Sequence, residues 1–146
     1  MTEIIERVLI DGDAEQVDGY LGNFRNTAVI DWRADDTEVV WDFGRFLDEG
    51  DELGSEHADD GLTITYNGIS HQVMLPGTLA NRYETIRAVI RILAPKYGAR
   101  LVRDSYYSDT HVFLVRHAAW WAELDRHHPE RAAELFQPVT AELDFP

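Results

Sequence analysis

The sequence predicts an α+β fold. It comprises an antiparallel sheet of two β-hairpins, at about residues 62–75 and 99–116, with a long helix over 79–94 between them, and N-terminal helices and a C-terminal helix pair packed around the sheet. Three observations predict this arrangement. Asn67-Gly68, the preferred type I′ turn, interrupts the alternating stretch LTITYNGISHQVML. Residues 79–94 repeat apolar side chains at helical spacing and stop before Pro95. A second alternating pair, ARLVRDSYY and THVFLVR, follows at hairpin distance.

Taken in order, Ile4, Ile5, Val8 and Leu9 recur at helical spacing and mark a short amphipathic helix. In DAEQVDGYLGNF, Asp13 caps a second helix with Gln16 three residues on, and Ala14, Val17, Leu21 and Phe24 form its apolar stripe. VIDW, at 29–32, is either a short strand or a buried connector, the connector being preferred. Asp35 and Glu38 have capping-box spacing ahead of Val39, Val40 and Phe43, so a third helix runs to near Gly50. Residues 51–61 are polar, acidic and glycine-bearing, the composition of a loop.

In the first hairpin, counting outward from the turn pairs Tyr66 with Ile69, Ile64 with His71 and Leu62 with Val73, leaving Thr65–Ser70 and Thr63–Gln72 on the polar side. Thr78 then caps the long helix, whose stripe is Leu79, Tyr83, Ile86, Ile90 and Leu93, with Arg87 and Arg91 outside. A second hairpin turning at Ser108-Asp109 would set Asp104, Tyr106 and His111 on one face. In the next helix Trp121 shares a face with Ala118, Ala122 and Leu124, while Trp120 falls about 100° away at the border. Pro129 opens a last helix carrying Ala132, Ala133, Leu135 and Phe136.

Length and composition fit one domain over 1–146, divided into an acidic helical segment over 1–50, the loop 51–61 and a ββαββαα segment over 62–146. The chain has no cysteine, which excludes disulfides and thiolate metal sites. Glu3 and Glu6 contradict a signal peptide, no apolar run reaches membrane-spanning length, and the expected location is cytoplasmic. The net charge of −14 is uneven: 18 of the 27 acids lie in residues 1–60 against four arginines, whereas residues 61–146 hold nine acids and nine bases. Such a field disfavours nucleic acid and anionic membranes and attracts basic proteins.

No motif identifies a chemistry. The histidines of RHAAWWAELDRHH lack metal-ligand spacing, because the position four after His117 is Trp121. DGDAEQVDGYLG starts like a calcium loop, but Gln16 replaces the glycine and Gly22 the bidentate glutamate that such a loop needs. Neither a metal nor a cofactor is expected. A carboxylate beside an imidazole is half of a general-base pair, so Asp104, Tyr106 and His111, with His71, are the candidate pocket for a small enzyme or ligand-binding domain.

The favoured reading is a non-catalytic interaction domain that presents Asp11, Asp13, Asp18, Asp35 and Asp36 to a basic protein partner, with Trp41 as an anchor. In general character such a chain resembles small bacterial immunity proteins, which neutralise basic toxin nucleases. The likeness is one of size and charge, and no residue is carried over from it. A third reading gives the acidity to solubility alone.

Overall fold

Asn67 and Gly68 have φ of 49° and 83°, the left-handed values a type I′ turn requires of both central residues. The strands they join are β3 (Gly61–Tyr66) and β4 (Ile69–Met74), paired in the expected register: Tyr66 with Ile69, Ile64 with His71, Leu62 with Val73. The Thr63 hydroxyl donates to Gln72 on the solvent face, and Thr65 meets Ser70 there.

The computed structural model describes residues 4–77 and 81–140 and is α+β. Before the hairpin come α1 (Arg7–Asp11), α2 (Ala14–Leu21), β1 (Ala28–Asp31), α3 (Asp36–Gly44) and β2 (Leu53–Ala58). After it come α4 (Asn81–Leu93), β5 (Tyr97–Val102), β6 (Thr110–His117), α5 (Ala118–His127), α6 (Pro129–Leu135) and β7 (Phe136–Pro138). The two hairpins belong to separate antiparallel sheets, one ordered β1-β6-β5-β7 and the other β2-β3-β4.

Strand alternation on β6 divides the interior into two cores. Phe113 and Val115 point to one side, where Ile30 and the fully buried Val39, Val40 and Phe43 of α3 meet Leu62 and Ile64 of the second sheet. The Phe43 and Phe113 rings lie 5.4 Å apart there. Leu114 points to the other side, against Leu9, Val17 and Leu21 of α1 and α2 and against Trp120, Trp121 and Phe136.

Several local expectations hold. Asp13 and Gln16 form the reciprocal capping box of α2, and Pro129 is in the first turn of α6. Thr78 and Leu79 lie outside the described residues. On α4, Arg82 is buried along with Thr85 and Val89, so the covered arc is wider than the stripe expected from spacing.

Others are corrected. Residues 51–61 are not a loop, because they hold β2, which pairs with β3 along its length. Nor is 29–32 a connector, since Ala28–Asp31 pairs with β6. Each is an edge strand with one side unpaired, β1 burying Ala28 and Ile30 and β2 leaving most of its side chains exposed. Helix α3 stops at Gly44, short of Gly50, and its cap Asp35 accepts from the Thr37 N–H without a box to Glu38.

The second hairpin also differs. β5 ends at Val102 and Arg103–Ser105 turn as a 3₁₀ helix. Ser105 Oγ donates to the Val102 carbonyl and accepts the Val112 N–H, replacing ladder bonds with a side-chain brace. Leu101 consequently pairs with Phe113, and Asp104 and Tyr106 leave the sheet. Trp120 is not at an edge: it is 2% exposed and Trp121 4%, their rings meeting edge to face. Phe136 leaves the last helix and opens β7 opposite Val102.

Candidate functional site

The six residues expected to form one docking face are divided between the two sides of the four-stranded sheet. Asp11, Asp13 and Asp18 belong to the α1–α2 layer: Asp11 pairs with Arg7 at 3.1 Å, Asp13 caps α2, and Asp18 is exposed at a depression of about 370 Å³. Asp35, Asp36 and Trp41 belong to the α3 layer on the opposite side. Asp36 is 9% exposed and accepts the Thr85 hydroxyl at 2.7 Å, so it joins α3 to α4 and is not a surface charge.

What the α3 layer does assemble is an acidic surface shared with β2. Asp35 contacts His57 Nε2 at 3.0 Å, while Gly44 lies against Leu53. The helix span between 35 and 44 and the strand span between 57 and 53 are each about 13 Å, so the two run alongside each other in opposite directions. Glu38 of α3, Glu56 of β2, and Glu49, Glu52, Asp59 and Asp60 in the segments flanking β2 are exposed, Glu56 on the Thr63–Gln72 face of its sheet, opposite to Leu53 and His57. None of these six carboxylates has an ion-pair partner among the described residues.

Of the nine bases of the second half, four pair within that half, Arg87 with Glu84, Arg100 with Asp125, Arg126 with Glu123 and Arg131 with Glu134. Arg116 with Glu6, Lys96 with Asp48 and Asp51, and the His117 ring with Asp48 are the described pairs that reach back into residues 1–60. Acidic excess is thus left beside α3 and β2, and in smaller measure at Asp13, Glu15 and Asp18, which are exposed and without an ion pair among the described residues.

A depression of about 490 Å³ opens between β1 and α3, lined by Val29, Asp31, Arg33, Ala34, Glu38 and Trp41 among others. Trp41 is 67% exposed and Trp32 51%, each with an arginine (Arg45 and Arg33) 5.6 Å from its ring centre. Asp42 fixes the wall: Oδ2 accepts the Val29 N–H at 2.8 Å, and Oδ1 holds Arg45, whose guanidinium continues to the Phe24 and Thr27 carbonyls.

The expected pocket of His71, Asp104, Tyr106 and His111 does not assemble. His71 is half-buried opposite Ile64 on the three-stranded sheet, whereas His111 is fully buried opposite Ile30 on the other. His111 Nε2 donates to the Tyr106 carbonyl at 3.1 Å, and burial pushes its pKa down, keeping the ring neutral. Asp104 is exposed in the 3₁₀ turn.

A polar cluster that sequence patterns did not flag joins the two sheets. Asp51 accepts from Lys96, Asn67 and the Tyr97 hydroxyl, while Asp48 contacts His117 Nε2 at 2.8 Å. The Tyr97 and His117 rings stack at 5.3 Å. Hydrogen bonds from Lys96, then Tyr97 and Asn67, lower the Asp51 pKa to about 2. Burial first, and Asp51 second, push Tyr97 up to about 12. Groups held so far from neutrality, with their valences already used, fasten structure and are poorly matched to proton transfer. The one sequence signal was Lys96 itself, the single lysine of the chain.

Among the described residues no group of three or more His, Cys, Asp or Glu is placed to hold a metal. No described helix is long and apolar enough to cross a membrane. No protein-family model, curated protein or solved structure matches the chain.

Proposed function

We propose that the protein is a non-catalytic interaction domain that binds a basic protein through its α3–β2 face, with Trp41 as the anchor. The observation that carries this reading is the concentration of six exposed carboxylates without an ion pair among the described residues, Glu38, Glu49, Glu52, Glu56, Asp59 and Asp60, in α3, β2 and the segments flanking β2, against Asp13, Glu15 and Asp18 in and beside α2. Unpaired carboxylates on one side of a fold speed encounter with a cationic surface and reject anionic ones. A half-exposed tryptophan beside a depression can be desolvated on contact, as interface anchors are. Neutralising a basic protein, as small bacterial immunity proteins do, is one form this role takes. The alternative of a small enzyme draws little support from His71, Asp104, Tyr106 and His111: His71 is on the other sheet, Asp104 is exposed, and His111 is buried and bonded to the Tyr106 main chain.

The test is affinity capture from the native cell at low and high salt with three proteins: the intact chain, Glu38→Lys/Glu56→Lys/Asp59→Lys, and Asp11→Lys/Asp13→Lys/Asp18→Lys. A basic protein recovered by the intact chain and by the α1–α2 variant, but lost by the α3–β2 variant, supports the proposal. Identical recoveries from all three remove it. Trp41→Ala should weaken capture by about tenfold or more, the scale of an interface anchor.

A further inference from the structure

We infer that the outer edge of β2 receives an extended, lysine- or arginine-bearing segment of the partner as an added strand. This rests on the acidic-face reading and specifies how that face is used. The Glu52 carbonyl accepts from the Asn67 N–H, so the alternation of an antiparallel ladder turns residues 54, 56 and 58 toward β3 and residues 53, 55 and 57 outward. Gly44 approaches the Leu53 carbonyl. The open stretch is therefore Ser55 to His57, and among the described residues nothing bonds the main-chain N–H or C=O of either.

Such an edge is a template for strand addition. No lysine or proline guards it, and Gly54 and Ser55 offer small side chains to an approaching backbone, with open space over Gly54. Its flanks select the occupant. Glu56 projects from the strand itself, with Glu52 before it and Asp59 and Asp60 after it, all exposed and without ion pairs among the described residues. A second copy of this chain would bring like charges face to face, which is unfavourable between paired strands. A strand with cationic side chains meets the opposite sign along its whole length. Trp41 is exposed three residues before Gly44, which lies against Leu53 of β2, so main-chain capture and aromatic contact fall on neighbouring surface.

The test uses the full chain and a soluble peptide alternating lysine with threonine, with the alternating glutamate–threonine peptide as control. Binding is followed by fluorescence anisotropy, and amide exchange by NMR. The lysine peptide should bind at low salt and the glutamate peptide should not. The Ser55 and His57 amides should exchange about tenfold or more slowly in the complex, as amides newly bonded in a ladder do. Ser55→Pro removes an outward N–H that bonds nothing in the free protein and is tolerated at an edge, so it should keep the fold and weaken peptide binding by about tenfold or more.

Charge-dependent binding with both amides exchanging as in the free protein overturns the strand inference and leaves the acidic face standing, as does unchanged affinity in Ser55→Pro. If that variant does not fold, exchange in the unaltered chain decides. Absence of lysine-peptide binding at low salt also overturns strand addition, while the acidic face is judged separately by the charge-reversal capture.

Discussion

Replacing Asp42 by alanine removes the group that sets the distance between β1 and α3. Asp42 is 9% exposed, and its two oxygens serve different partners: Oδ2 takes the Val29 N–H at 2.8 Å, and Oδ1 takes Arg45 Nε at 2.6 Å. Losing a charged acceptor from a half-buried N–H costs about 1.5–3 kcal/mol. The Asp42–Arg45 pair, with side chains 13% and 22% exposed, falls between a surface pair worth about 0–1 kcal/mol and a buried pair whose breaking costs about 3–5, so about 1–2 is assigned to it. The expected loss is about 3–4 kcal/mol. With a urea dependence near 2 kcal/mol per molar, the midpoint falls by about 1.5–2 M. Asp42→Asn keeps an oxygen for Val29 while giving up the charge, and should lose about half as much. The assay is equilibrium urea unfolding with the slope unchanged between variants. An alanine variant within about 1 kcal/mol of the parent, or an asparagine variant equally damaged, would refute the reasoning.

Gly98→Ala should cost about 1–3 kcal/mol with a shift in tryptophan emission, because a Cβ there meets the buried Trp121 ring at 2.8 Å and disturbs the Trp121 Nε1–Gly98 carbonyl bond; an unchanged melting temperature and spectrum would contradict it. The Asp51–Tyr97 contact gives stability that is lost toward both ends of the pH scale. With Asp51 lowered to about 2, its share is present above the ordinary carboxylate value and lost as pH falls toward 2. With Tyr97 raised to about 12, its share is present below the ordinary tyrosine value and lost as pH rises toward 12. In absorbance titration Asp51→Asn should bring one late-ionising tyrosine partway back toward the rest, burial keeping the remainder of the shift; an unaltered curve would argue against the contact. His111, pushed down by burial, contributes stability above the ordinary histidine range that is lost on acidification below it. His111→Gln should flatten that region of the stability–pH curve, and a parent curve already flat there would count against a neutral buried ring.

Legibility in the sequence followed the range of the interactions. Asn67-Gly68 fixed a turn and a register because both depend on neighbouring residues, and so do the Asp13–Gln16 capping box and Pro129. The edge strand β2 escaped notice because most of its side chains are in solvent, so a sequence such as GSEHA carries no apolar alternation, while β1 and β7, four and three residues long, are too short to show a period. The second hairpin was misplaced because Ser105 braces the turn with its hydroxyl, which no strand pattern reports. Acidity of the first 60 residues was legible as a total but not as a surface. Asp36 is spent on Thr85, 49 residues away, while Glu56, Asp59 and Asp60, read as loop, border a strand instead.

Because β6 sends Phe113 and Val115 into one core and Leu114 into the other, eight residues are common to every layer of the molecule. Damage on either side of the sheet is therefore felt on both, and a loosened α1–α2 layer is reported at α3 through the backbone of a single strand.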